Sequence, residues 1–158
     1  MEPTKDRERV IELMAKHEEA IGRLYAEYAD KFPEQHAIWV KLSEEEHQHA
    51  EWLRGLDPAI KKGSVTFGTD RFDPDAIDKS LAWVTFQTGR AERREISMDE
   101  ALMVAMDLEN TLIENKCFEV FEEDPPEFKR VLRLLADATE KHRMTVRNAW
   151  KRISESRE

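Results

Sequence analysis

The stretch Ser43-Glu44-Glu45-Glu46-His47-Gln48-His49-Ala50-Glu51-Trp52-Leu53 decides how this chain folds. It is rich in Glu, carries Ala and Leu, and lacks Gly and Pro, so it reads as helix. The apolar stripe it belongs to, Trp39, Leu42 and Leu53, runs straight through Glu46 and His49. A carboxylate and an imidazole therefore face the core one turn apart. Burying a carboxylate without a partner is costly, so something must compensate it. Glu-x-x-His pointing into a helical bundle is one known device for holding a metal ion.

Outward from this helix, the composition agrees. The 158 residues suit a single domain, 1–158, long enough to bury a core. Charged residues make up 37% with few Gly and Pro, the balance of an all-α protein. The formal net charge of −9 argues against nucleic-acid binding and suits a protein that attracts cations. Met1 to Arg9 is charged without an apolar core, unlike a signal peptide, and no apolar run approaches a membrane span. The single cysteine, Cys117, excludes an intramolecular disulfide and any Cys-x-x-Cys motif, and it reads as a small core residue. A cytoplasmic location is the expectation.

The periodicity predicts a first helix over about 4–31, with Thr4 as N-cap and an apolar stripe of Val10, Met14, Ile21, Leu24, Tyr25 and Tyr28. Glu18 lies on that stripe, whereas His17 and Glu19 fall on its solvated flanks. Pro33 opens the second helix, which stops at Gly55, and the short connection makes the two helices antiparallel. Residues 56–73 hold at most one helical turn and an extended segment, 64–72. Asp73 caps a crossover helix whose inner face is Ile77, Leu81 and Val84. Its Trp83 and Phe86 point elsewhere, which suggests a dimer contact. Ser97-Met98-Asp99-Glu100 is a capping box opening a helix to about Glu122. Asp124 caps the last helix, which runs to about Ser154 with Phe128, Leu135, Thr139, His142 and Val146 inside.

The two halves match. Glu18 lies 28 residues before Glu46-x-x-His49, and Glu109 lies 30 residues before Thr139-x-x-His142. Each half is a helical hairpin with an inward Glu on its first helix and an inward His on its second. His17, His36, His47, Glu44 and Glu51 need no function. Glu45, four residues before His49, is the flanking carboxylate best placed to join the site. Met14, Met98, Met103 and Met106 read as core filler.

Through Glu18-Glu19-Ala20-Ile21-Gly22-Arg23-Leu24-Tyr25, Glu46-His47-Gln48-His49-Ala50, Glu109 and Leu135-Ala136-Asp137-Ala138-Thr139-Glu140-Lys141-His142, nearly the whole chain resembles the ferritin-like superfamily, most closely its rubrerythrin-like di-iron domains. The resemblance implies an antiparallel four-helix bundle with a long crossover containing an extra helix. It implies two irons that react with peroxide or dioxygen. Glu18, Glu46 and His49 would serve the first metal, Glu46 would bridge, and Glu109 and His142 would serve the second. Tyr25 matches the tyrosine near the first helix's ligand.

The departures fall in the second half. Thr139 stands where the family has its second bridging Glu, Leu112 where rubrerythrins proper have a further Glu, and Lys116 at the second tyrosine position. Asp137 and Glu140 are rotated away, since two residues along a helix turn a side chain by about 200°. Three carboxylates and a nearby lysine neutralise two divalent ions poorly, so a single ion on Glu18, Glu46 and His49, helped by Glu109 or His142, is chemically reasonable. Iron or manganese suits the oxygen ligands, and zinc suits the two histidines. Lys116 either snorkels to the surface or pairs with Glu109 or Glu18. An enzyme of this kind needs an external electron donor. The alternative is a degenerate, dimeric bundle acting as a scaffold without metal chemistry. Small-ligand binding in a cavity has no signal in the sequence.

Overall fold

The computed structural model describes residues 3–114 and 117–156. Among these the chain is all-α, with no strand. Helix α1 spans Pro3–Lys31, α2 His36–Arg54, α3 Asp57–Lys62, α4 Pro74–Glu92, α5 Met98–Glu114 and α6 Pro126–Ser156. Single 3₁₀ turns occupy Pro33–Gln35 and Thr69–Arg71. No helix is long and apolar enough to cross a membrane among the described residues.

Helices α1 and α2 form an antiparallel hairpin. Tyr25 and Tyr28 pack on Trp39 near the turn, while Arg54 reaches back to Glu12 and Glu19 at the far end. At Gly22 the two helices meet through a side chain and a carbonyl. A Cβ there would lie 3.0 Å from the His47 ring, and the Gly22 carbonyl accepts a 2.7 Å hydrogen bond from Ser43 Oγ. A side chain at position 22 would require the exposed His47 ring to move. At the end of α3, Gly63 takes the left-handed conformation at φ 79°, where glycine is the residue of least strain.

Helix α4 follows α1 in the same direction. Pro74 shares a cleft with Arg9 and Val10, and Ser80 meets His17. Asp73 caps α4 as expected, accepting from the amides of Asp75 and Ala76. The short link to α5 reverses the chain. The expected capping box is present, with Glu100 N–H donating to Ser97 Oγ and Ser97 N–H to the Glu100 carboxylate, each at 3.2 Å. Helix α6 packs along α5 and also meets α2, antiparallel to it: His142 faces Glu45 and Glu46, and Leu134 shares a cleft with Trp52. One contiguous apolar core runs through these helices.

Several expectations are corrected. Thr4 lies inside α1 rather than capping it. A 3₁₀ turn at Pro33 precedes α2, so that helix begins at His36. Helix α5 is described over Met98–Glu114, and residues 117–118 form a turn, so it stops short of Glu122. Asp124 does not cap α6. Its Oδ2 accepts from Phe121 N–H and its Oδ1 pairs with Arg71 at 2.7 Å, so closing the preceding loop uses its lone pairs. Met103 is 54% exposed rather than core. Trp83 and Phe86 are exposed, at 37% and 58%, on the outer side of α4.

Candidate metal centre

Four helices deliver polar side chains to one buried point. Glu18 comes from α1, Glu46 and His49 from α2, Glu109 from α5 and His142 from α6, and all five are buried. Each sits on the apolar stripe of its helix, so the packing that buries Leu42, Leu102 or Leu135 buries the polar group as well.

The tightest grouping is Glu46, His49 and His142, whose ligand atoms all lie within 4.8 Å of one another. His142 Nδ1 is 2.9 Å from Glu46 Oε1, and His49 Nδ1 is 3.3 Å from Glu46 Oε2. The two imidazoles stack at 5.1 Å between centroids. Glu109 Oε1 lies 3.5 Å from His142 Nδ1 and accepts a 3.0 Å hydrogen bond from the Tyr25 hydroxyl. Glu18 adjoins Glu46.

This grouping differs from the pairing of His142 with Glu109 that the resemblance implied. The Thr139 hydroxyl donates to the Leu135 carbonyl of its own helix at 2.8 Å. The carboxylates left for His142 Nδ1 are therefore Glu46 and, more distantly, Glu109. Asp137 and Glu140 point to solvent, as the helical offset required. Leu112 is buried and apolar, and Lys116 lies outside the described residues.

Electrostatics shape the cluster. Burial, reinforced by repulsion from Glu46 and Glu109, holds the Glu18 carboxyl well above the usual carboxylate range. Burial opposes ionisation of Glu46 too, but its close contacts with Glu18, His142 and His49 outweigh it and hold its pKa well below the usual carboxylate range. Burial likewise raises Glu109, to about 7, although His142 and Tyr25 pull it down. Burial disfavours the His142 imidazolium, yet hydrogen bonds to Glu109 and Glu46 push its pKa up to about 10. Among the three carboxyls, burial therefore opposes ionisation of Glu18 and Glu109, while the surroundings of Glu46 favour it.

Glu18 Oε2, Glu46 Oε2, Glu109 Oε2 and His142 Nε2 are buried without a hydrogen-bond partner among the described residues. Unpartnered polar atoms of this kind are rare inside proteins and each costs about 1–3 kcal/mol. Three carboxylate oxygens lacking donors, beside two imidazoles, form a donor set that a divalent cation would satisfy, so the residues fit a metal.

One residue escaped the sequence reading, and one flanking carboxylate stands near the site as its spacing suggested. His17 is buried rather than on a solvated flank, with Nε2 2.7 Å from Ser80 Oγ, because α4 covers that side of α1. Glu45, half-exposed, stands 3.4 Å from His142 Nε2, within ion-pair reach but not aligned as a hydrogen bond. Its position four residues before His49 was the signal that singled it out, although its neighbour here is His142. Cys117 is partly buried, and burial pushes its thiol pKa up, in keeping with a packing role.

No protein-family model, no curated protein and no solved structure matches this chain.

Proposed function

We propose that this is a ferritin-like, rubrerythrin-related metal-binding protein. Helices α1, α2, α5 and α6 would form its antiparallel four-helix bundle, with α4 as the extra helix of the crossover. The observation that carries the reading is the convergence of Glu18, Glu46, His49, Glu109 and His142 on one buried point with three carboxylate oxygens unsatisfied. Two imidazoles and one ionised carboxylate, Glu46, favour a single tightly held ion, with Glu18 and Glu109 as further carboxylates. Iron is the favoured ion, with manganese or zinc as competitors.

Bound iron would supply redox chemistry toward peroxide or dioxygen. The chain's own residues supply the rest. Tyr25 holds Glu109 in place through its hydroxyl and stands ready to donate toward the site. Electrons would come from an external donor, because the chain has one cysteine. A cytoplasmic, homodimeric protein completes the proposal. The exposed Trp83 and Phe86 support the dimer, and sedimentation of the Phe86→Glu variant tests it.

Metal analysis of protein produced with iron, manganese and zinc tests the reading. About one equivalent of metal is expected, and less than about a tenth of an equivalent of any metal would overturn it. A second reading, a scaffold without metal chemistry, draws on Thr139, whose hydroxyl is tied to Leu135, and on the Glu46–His142 ion pair that closes without a cation. Two irons per chain would exclude the scaffold.

A further inference from the structure

Between α1 and α4, bounded by the turn at Cys117 and Phe118, lies a cavity of about 360 Å³. That volume falls within the range of small-molecule sites. Met14, Phe72, Ile77 and Leu112 give it apolar walls, and Ala76 stands exposed at its rim. Most of its polar lining is already engaged. Arg71 pairs with Asp124 and the Glu119 carbonyl, and His17 with Ser80. The exception is Glu18, which lines the cavity and whose Oε2 has no hydrogen-bond partner among the described residues.

A ligand must complement that inventory. The apolar walls call for an apolar body, and the unsatisfied carboxyl oxygen calls for one donor. A carboxyl group keeps an acceptor lone pair whether or not it carries a proton. An anionic ligand would meet Glu18 with Glu46 and Glu109 close behind it, and like charges at short range repel.

We propose that this cavity binds a small, uncharged, mostly apolar alcohol or phenol whose hydroxyl donates to the Glu18 carboxyl. Such a molecule would sit directly beside the cluster of Glu46, His49 and His142. The inference does not require a metal, so the two readings fail separately.

The test uses the full chain freed of metal with a chelator, with 4-methylphenol, toluene and 4-methylbenzoate as probes in titration calorimetry and ligand-observed NMR. Saturable binding of 4-methylphenol is expected, at least about fivefold tighter than toluene, because a site built to bond a hydroxyl discriminates against the analogue lacking it. The anion is expected to bind weakest. Ala76→Trp, an exposed substitution at the rim, should weaken 4-methylphenol binding about tenfold by filling the entrance, with the helical circular dichroism unchanged. Glu18→Leu should erase the preference over toluene. No saturable binding, tighter binding of the anion, or indifference to Ala76→Trp would each overturn the proposal.

Discussion

His142 Nδ1 lies 2.9 Å from Glu46 Oε1, although 96 residues separate them in the chain. This contact joins α2 to α6 inside the core and adds a buried polar pair to the apolar packing between them. Breaking a buried pair is more damaging than replacing it, because the surviving charge is left without compensation. In metal-free protein, His142→Ala should cost about 3 kcal/mol in urea unfolding. Replacing both partners by Leu should cost less than that single change. A double variant whose loss equals the sum of the single losses would show that the pair carries no coupling.

Metal uptake should depend on pH in a defined direction. Glu109 and His142 have pKa values raised to about 7 and about 10, and Glu18 is raised as well. Between pH 5 and 9 the folded metal-free chain therefore binds more protons at these groups than the unfolded chain does. Its stability from these groups should fall as pH rises, through about 7 for Glu109 and about 10 for His142. Glu46 has a lowered pKa, and its contribution is lost only on acidification. A metal displaces the same protons, so affinity for zinc should rise with pH over that range. Thermal melts with and without zinc should diverge from pH 5 to pH 9, and a constant gap would contradict the proton count.

Thr139→Glu should raise the metal content. Its side chain would replace a hydroxyl now bonded to the Leu135 carbonyl and place a fourth carboxylate beside Glu109 and His142. Metal analysis should move from about one equivalent toward two, since each added carboxylate helps offset the charge of a second divalent ion. The metal-free variant should be less stable, because it buries another carboxyl. An unchanged stoichiometry would show that position 139 does not limit the site.

Tyr25→Phe removes the 3.0 Å hydrogen bond to Glu109 and leaves that carboxylate without its aromatic donor. A loss of about 1.5 kcal/mol is expected, typical of a hydrogen bond to a charged or partly charged group. The packing of residue 25 against Trp39 should survive, since the ring is retained. Near-ultraviolet circular dichroism checks the packing, and chemical unfolding checks the cost.

Arg71 anchors the irregular segment that precedes α4. It pairs with Asp124 at 2.7 Å, donates to the Glu119 carbonyl and stacks its guanidinium 3.7 Å from the Phe121 ring centroid. Arg71→Ala leaves Asp124 with an uncompensated, largely buried charge. It should destabilise the chain by about 3 kcal/mol. Limited proteolysis should then cut residues 64–73 far faster than in the parent protein.

Much of this protein was legible without coordinates, because helix periodicity and capping are local. The stripes that bury Leu42 and Leu135 also carry Glu46 and His142, so the inward polar residues could be read from spacing alone. The Ser97–Glu100 capping box and the Asp73 cap were likewise local reciprocal bonds. Asp124 misled for the complementary reason. Its sequence neighbours offered a helix to cap, while a residue 53 positions away took its oxygen.

What the sequence by itself determined is the helical class and the five polar residues that turn inward. What only the tertiary structure decided is which of those residues meet. His142 approaches Glu46 rather than standing with Glu109 alone, His17 is sealed under α4, and Glu18 borders both the charged cluster and an apolar cavity. A periodicity reports which way a side chain points from its own helix axis. Its partner depends on the rotation and spacing of helices far apart in the chain, which packing of the whole core sets.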